Sequence, residues 1–198
     1  MAIDIDVLRD ADRRAVEATV AVVARCTVAD LAKPTPCGDW NVAELLAHMG
    51  VQQHGFAESA AGGGAELAGW RPTPLGEQAV TAYTAACSRV LDAFAVPDLA
   101  ERSFALPEIR DGGPFPARLA VGFHLVDNVV HAWDVASALG VDPALDDDLV
   151  RLALRIAEAV PDGPERQDAN AAFAPALPVP DDAAPLDRVL LLLGRTPQ

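Results

Sequence analysis

Cysteine is scarce in this chain: Cys26, Cys37 and Cys87 are the full complement. The count is odd and no Cys-x-x-Cys spacing occurs, which excludes a disulfide framework and a zinc knuckle and points to reduced thiols. Aromatic residues are sparse too, at 5%, so a core rich in Ala, Leu and Val is expected to form thin helical layers. Basic residues number 15 against 29 acidic ones, a formal net charge of −14. Such a surface repels a phosphate backbone and anionic lipid, so neither nucleic acid nor membrane is an expected partner. The chain has no run approaching the roughly 18 apolar residues of a membrane span and no basic start with an apolar stretch and cleavage site. A cytoplasmic protein is expected. Nucleotide-binding glycine loops and a Gly-x-Ser-x-Gly nucleophile elbow are also missing.

What is present is a chain of 198 residues, 51% of them hydrophobic, which suits one globular domain over residues 1–198. Apolar residues recur at helical spacing from Leu8 to Val23, after a cap at Asp4 or Asp6. The tract Lys33-Pro34-Thr35-Pro36-Cys37-Gly38-Asp39-Trp40 cannot be a helix interior and reads as a structured loop. Asn41 with Glu44 forms a variant capping box, and Leu45, His48, Met49, Gln52 and Phe56 mark one face of a second helix. Gly62, Gly63 and Gly64 end it, and a turn-rich link runs to Pro74. A third helix spans about Leu75 to Ala95. The stretch from Val96 to Pro116 is irregular and long enough to lid a site. A fourth helix runs from about Pro116 to Leu139 and stops at Gly140. Asp146 caps a fifth, and a short last helix covers Leu186 to Leu193. The fold class expected is therefore all-α, with helices one to four as an antiparallel bundle core.

The fourth helix carries the most informative residues, in the run from Phe123 to Asp134. At about 100° per residue, Asp127 and His131 share one face one turn apart, with His124 and Asp134 within about 60° of that line. The other faces are Leu, Val, Phe and Trp, so the helix is expected to be buried, where a carboxylate or imidazole must be paired or hold a metal. Three readings stand at this point: a metal site, a hydrogen-bonded polar core, or a solvated edge of the bundle. For the metal reading His48 is the natural third ligand, since it lies on the inward face of helix two. His plus carboxylate donors suit Zn²⁺, Ni²⁺, Mn²⁺ or Fe²⁺. His124 is two turns from His131 and cannot share the ion; it is read as a residue that hydrogen-bonds a ligand or contacts substrate. Cys37 is a candidate nucleophile, against a plain structural role in its turn. Trp40 and Trp133 are read as packing residues.

The segment Thr35-Pro36-Cys37-Gly38-Asp39-Trp40-Asn41-Val42, continuing to His48, together with Asp127-x-x-x-His131-Ala132-Trp133-Asp134 and Gly140, resembles the metal-binding domain of mycothiol-dependent maleylpyruvate isomerase. That domain belongs to the DinB-like superfamily of four-helix bundles. The tail from Phe173 through Leu186-Asp187-Arg188 to Gly194-Arg195 is similar to a bacterial subgroup of it, so the resemblance spans nearly the whole chain. It implies a DinB-like four-helix bundle with additional short helices and long loops, and His48, Asp127 and His131 as ligands to a divalent ion, usually zinc, with nickel the alternative. It also implies a low-molecular-weight thiol such as mycothiol as cosubstrate and a small electrophile as substrate. The chemistry implied is thiol transfer or thiol-dependent isomerisation. The isomerase carries a separate C-terminal domain that contributes to its site and that this match does not include, so the expected chemistry is related rather than identical. A metal-dependent hydrolase, a non-catalytic metal- or ligand-binding bundle, and a homodimer are the other options.

Overall fold

The computed structural model describes residues 3–109, 113–167 and 171–197. Parts of the two long irregular stretches, at 110–112 and 168–170, lie outside the described residues. Six α-helices dominate: α1 (Ile5–Val23), α2 (Val42–Ala60), α3 (Ala79–Phe94), α4 (Ala117–Leu139), α5 (Asp147–Ala157) and α6 (Pro185–Leu192). The expected caps set their starts. Asp4 accepts from the Asp6 amide and Asp146 from that of Leu149. Asn41 and Glu44 exchange reciprocal bonds at 3.0 and 2.9 Å, satisfying two amides that the first turn of α2 would otherwise leave unpaired. Helix α4 stops at Gly140 in the left-handed region. Helix three begins later than the spacing from Leu75 predicts, because residues Gly76–Gln78 wind as a tighter 3₁₀ turn first. A two-stranded antiparallel ribbon, β1 (Ser103–Phe104) with β2 (Phe115–Pro116), ties together the ends of the α3–α4 connection; strands this short carry no readable alternation.

Helices α1 to α4 form the bundle, with α1 against α4 and α2 against α3 as the closest pairs. The apolar clusters give their directions. At one end Leu8, Phe56, Phe94 and Val121 pack together; at the other Val23, Val42, Ala79 and Ala136 do. Hence α1 and α4 run one way and α2 and α3 the other, so each closest pair is parallel, where an antiparallel bundle had been expected. A parallel neighbour that follows directly in the chain requires the chain to return along the bundle, and the long link between α2 and α3 makes that possible. Helices α5 and α6 cover the outer side of α4 through Leu149, Ala153, Val189 and Leu190. No helix among the described residues is long and apolar enough to cross a membrane.

The link after α2 is less free than its composition suggests. Trp70 is buried on Phe56, and its indole N–H donates to the Gly64 carbonyl at 2.8 Å. The indole lies against Gly55, where a Cβ would come within 2.6 Å of the ring. Gly55→Ala gains about 1 kcal/mol of helix propensity but meets a rigid buried ring, and overpacking of that kind costs about 1–3 kcal/mol. A net loss of up to about 2 kcal/mol is expected from the urea midpoint; a more stable variant would show that Trp70 is not held there.

Candidate metal centre

The antiparallel crossing of α2 and α4 brings His48, Asp127 and His131 together, with one potential ligand atom from each lying within 4.8 Å of the others. His131 Nε2 stands 3.3 Å from Asp127 Oδ1. The His48 and His131 rings meet edge to face with centroids 5.4 Å apart. Burial pulls the His48 imidazole down to about 4, helped by the neighbouring His131 charge, so it is neutral and free to ligate at neutral pH. For His131 burial acts in the same downward direction, but Asp127 and Asp134 outweigh it and carry the imidazole up to about 10. The Asp127 carboxyl is correspondingly lowered to about 2: burial opposes ionisation and the His131 cation overrides it. Without a metal, then, a proton on His131 holds the two acidic neighbours.

A supporting layer lies behind His131. Its Nδ1 donates to Asp134 Oδ2 at 2.9 Å, which leaves Nε2 as the nitrogen facing Asp127 and His48. Asp134 in turn accepts from Arg195 at 3.1 Å, and Arg195 also donates to Cys37 Sγ at 3.2 Å. Arg195 is delivered by the end of α6, where Gly194 at φ 77° turns the chain and Ala174 leaves no room for a Cβ. Cys37, His131 and Asp134 also lie close enough together to form a donor set. The Arg195 guanidinium already supplies the positive charge there, so this set supports the first rather than holding a second ion.

His124 is placed differently from the expectation. It bonds no candidate ligand and makes no approach to the site; it is fully buried between Phe56 and Phe94, in a second polar cluster. Its Nδ1 pairs with Asp12 at 2.6 Å, and its Nε2 with Gln53 Oε1 at 2.9 Å. Gln53 then donates to Asn128 Oδ1, and Asn128 to the His124 carbonyl. That last acceptor is backbone, so the amide orientations follow along the chain and His124 Nε2 must donate. The stripe on α4 thus divides: His124 and Asn128 face the core between α1 and α2, while Asp127, His131 and Asp134 face α2 and the C-terminal tail. Trp40 likewise departs from a packing role. It is 37% exposed and tilts over the His48 ring at 4.8 Å. Cys37 is half-buried, and burial raises its thiol against the pull of His131 and Arg195, which weighs against an activated nucleophile. Asp134 could be found from its place on the stripe; Arg195, sixty-one residues further on, carries no local signal.

A helical bundle with His, carboxylate and His donors on two crossing helices defines the class, a helical-bundle protein with a candidate metal centre. The chain belongs to the mycothiol maleylpyruvate isomerase N-terminal domain family, whose profile matches residues 13–136. It is a DinB-like bundle that carries candidate metal-ligand groups. Among curated proteins it is similar to uncharacterized protein MT0763 and uncharacterized protein Rv0738, from two strains of Mycobacterium tuberculosis. Each is 30% identical over 191 residues, covering 94% of this chain and 96% of the relative. No solved structure matches it.

Proposed function

We propose that His48, Asp127 and His131 hold one divalent ion, zinc or alternatively nickel, and that the site uses it to present a low-molecular-weight thiol to a small electrophile, for transfer or isomerisation. The observation that carries this is the convergence of the three side chains with His131 already oriented by Asp134. The donor chemistry fits a divalent ion: one imidazole is neutral at neutral pH, the other can release its proton, and the carboxylate is ionised. Asp127 keeps 22% of its side chain exposed, so the set is open on one side, as in catalytic rather than structural sites. A bound divalent ion lowers the pKa of a coordinating thiol and makes it a ready nucleophile. The residues around it position the ligands: Asp134 and Arg195 orient His131, and Trp40 shields His48 from water. The mycothiol in the family's name supports a thiol of that kind as cosubstrate.

The test is thiol-dependent turnover of a panel of small electrophiles by metal-free and zinc-loaded protein. Turnover restored by zinc is expected. A protein that binds metal stoichiometrically and turns over none of the panel would be the non-catalytic binding bundle; zinc-dependent hydrolysis without thiol would make it a hydrolase. Within this reading, Asp134→Asn is expected to weaken zinc binding about 10–100-fold, measured by competition with a chromophoric chelator. Unaltered affinity would remove Asp134 from the centre.

A further inference from the structure

The ligand set is flanked by a fourth polar residue of α2 that none of the roles above uses. Because α2 and α4 run in opposite directions with His48 against His131, one turn onward along α2 lies level with one turn back along α4. Those positions are Gln52 and Asp127. The pairing of Gln53 with His124 and Asn128, one step further along both helices, confirms the level. Gln52 is 7% exposed and donates its amide N–H to Glu108 Oε2. Glu108 belongs to the α3–α4 connection, far from α2 in sequence, and this bond draws the connection over the groove. Glu108 keeps part of its surface open to solvent while its bond to Gln52 is half-buried, its Oε1 accepts no bond from a described residue, and this partial burial raises its carboxyl with a smaller contribution from Asp127. It is not within ligand distance of the three donors taken together, since the clusters of potential ligands do not include it.

We propose that Glu108, held by Gln52 above the open side of the centre, is the base that takes the proton from the incoming thiol. This rests on the thiol reading of the site. The thiol S–H bond breaks, its electron pair stays on sulfur, and the proton passes to Glu108 Oε1 directly or through one water. The carboxylic acid so formed can return that proton to the carbon or oxygen of the electrophile that gains negative charge, leaving Glu108 as it began. Gln52 fixes one carboxylate oxygen and leaves the other free, which is the arrangement a proton carrier on a long connection requires. The candidate ligands cannot do this themselves, because Asp127 and the two histidines would be occupied.

The experiment uses cobalt-loaded full-length protein and N-acetylcysteine, following the thiolate-to-cobalt absorption by stopped flow with no electrophile present. Glu108→Gln keeps an oxygen acceptor for Gln52 and removes only the basicity. It is expected to bind cobalt as tightly as the unaltered protein, reach the same final absorption, and reach it about 10²-fold more slowly, the lower end of the effect of a positioned base. Glu108→Asp should recover part of the rate. If Glu108→Gln forms the thiolate as fast as the unaltered protein, Glu108 is not the base and the thiol reading stands. If it loses cobalt, Glu108 is a ligand and the proton role is overturned. If the unaltered protein binds cobalt but never develops the absorption, the thiol reading fails and the role of Glu108 with it.

Discussion

Replacing His124 by alanine is expected to destabilise the protein by about 3–5 kcal/mol, the loss typical of removing one partner of a fully buried hydrogen-bonded Asp–His pair together with a packed ring. Asp12 is 1% exposed and its second carboxylate oxygen has no partner. Burial raises the Asp12 carboxyl, and His124 offsets part of that rise. Without the imidazole, Asp12 is left unpaired in the core, Gln53 loses the donor to its oxygen, and Phe56 and Phe94 line a void. Urea denaturation of His124→Ala measures this directly; a loss under about 1 kcal/mol would mean the pair does little. Replacing both partners, Asp12→Leu with His124→Leu, should lose at least about 2 kcal/mol less than the two single changes summed, because neither buried polar group is then left without its partner. The pair joins α1 to α4, and through Gln53 it joins α4 to α2. It therefore sets the helix register in which His48 meets His131.

His131→Ala is expected to abolish stoichiometric zinc binding while the protein stays folded, and His124 variants that remain folded are expected to retain it. His131 meets both other candidate ligands and the carboxylate behind them: Nε2 faces Asp127, the ring edge meets His48, and Nδ1 rests on Asp134. Equilibrium dialysis with zinc analysis decides the point; a fully loaded His131→Ala protein would sink the proposed ligand set. The pH dependence is specific. In the metal-free protein the His131 imidazole is held up at about 10 from an ordinary 6.5. The stability this contributes is fully present below about pH 6.5 and is lost as the pH rises toward 10. Zinc affinity should change in the opposite sense over that window, rising about tenfold per pH unit, because the metal must displace one proton from the same ring. The stability trend should vanish in His131→Ala, whose folding no longer depends on that proton. A zinc affinity that is flat between pH 7 and 9 would show that no proton is displaced.

The helices were legible because their causes are local. Asp4, Asn41 with Glu44, and Asp146 cap the helices where hydrogen-bonding side chains precede apolar spacing, and Gly140 stops α4 where a left-handed residue is needed. Spacing on one helix also placed Asp127 and His131 one turn apart, and the inward face of α2 supplied His48. What spacing on α4 could not decide was which polar residues of the stripe share an environment. Residues within 60° of one another around a buried helix can face different neighbours, and His124 faces Asp12 of α1 and Gln53 of α2 while His131 faces His48 and the tail. The expected antiparallel pairing of neighbours likewise gave way to parallel closest pairs, since a long connection permits either direction of return. Arg195 and Glu108 reach the centre only because a turn at Gly194 and a bond to Gln52 carry distant segments onto it. Periodicity and capping are properties of neighbours in the chain, so the sequence by itself determined the helices, their stops and two corners of the site. Pairing across the bundle depends on the order and direction in which the helices pack, and that was settled only by the tertiary structure.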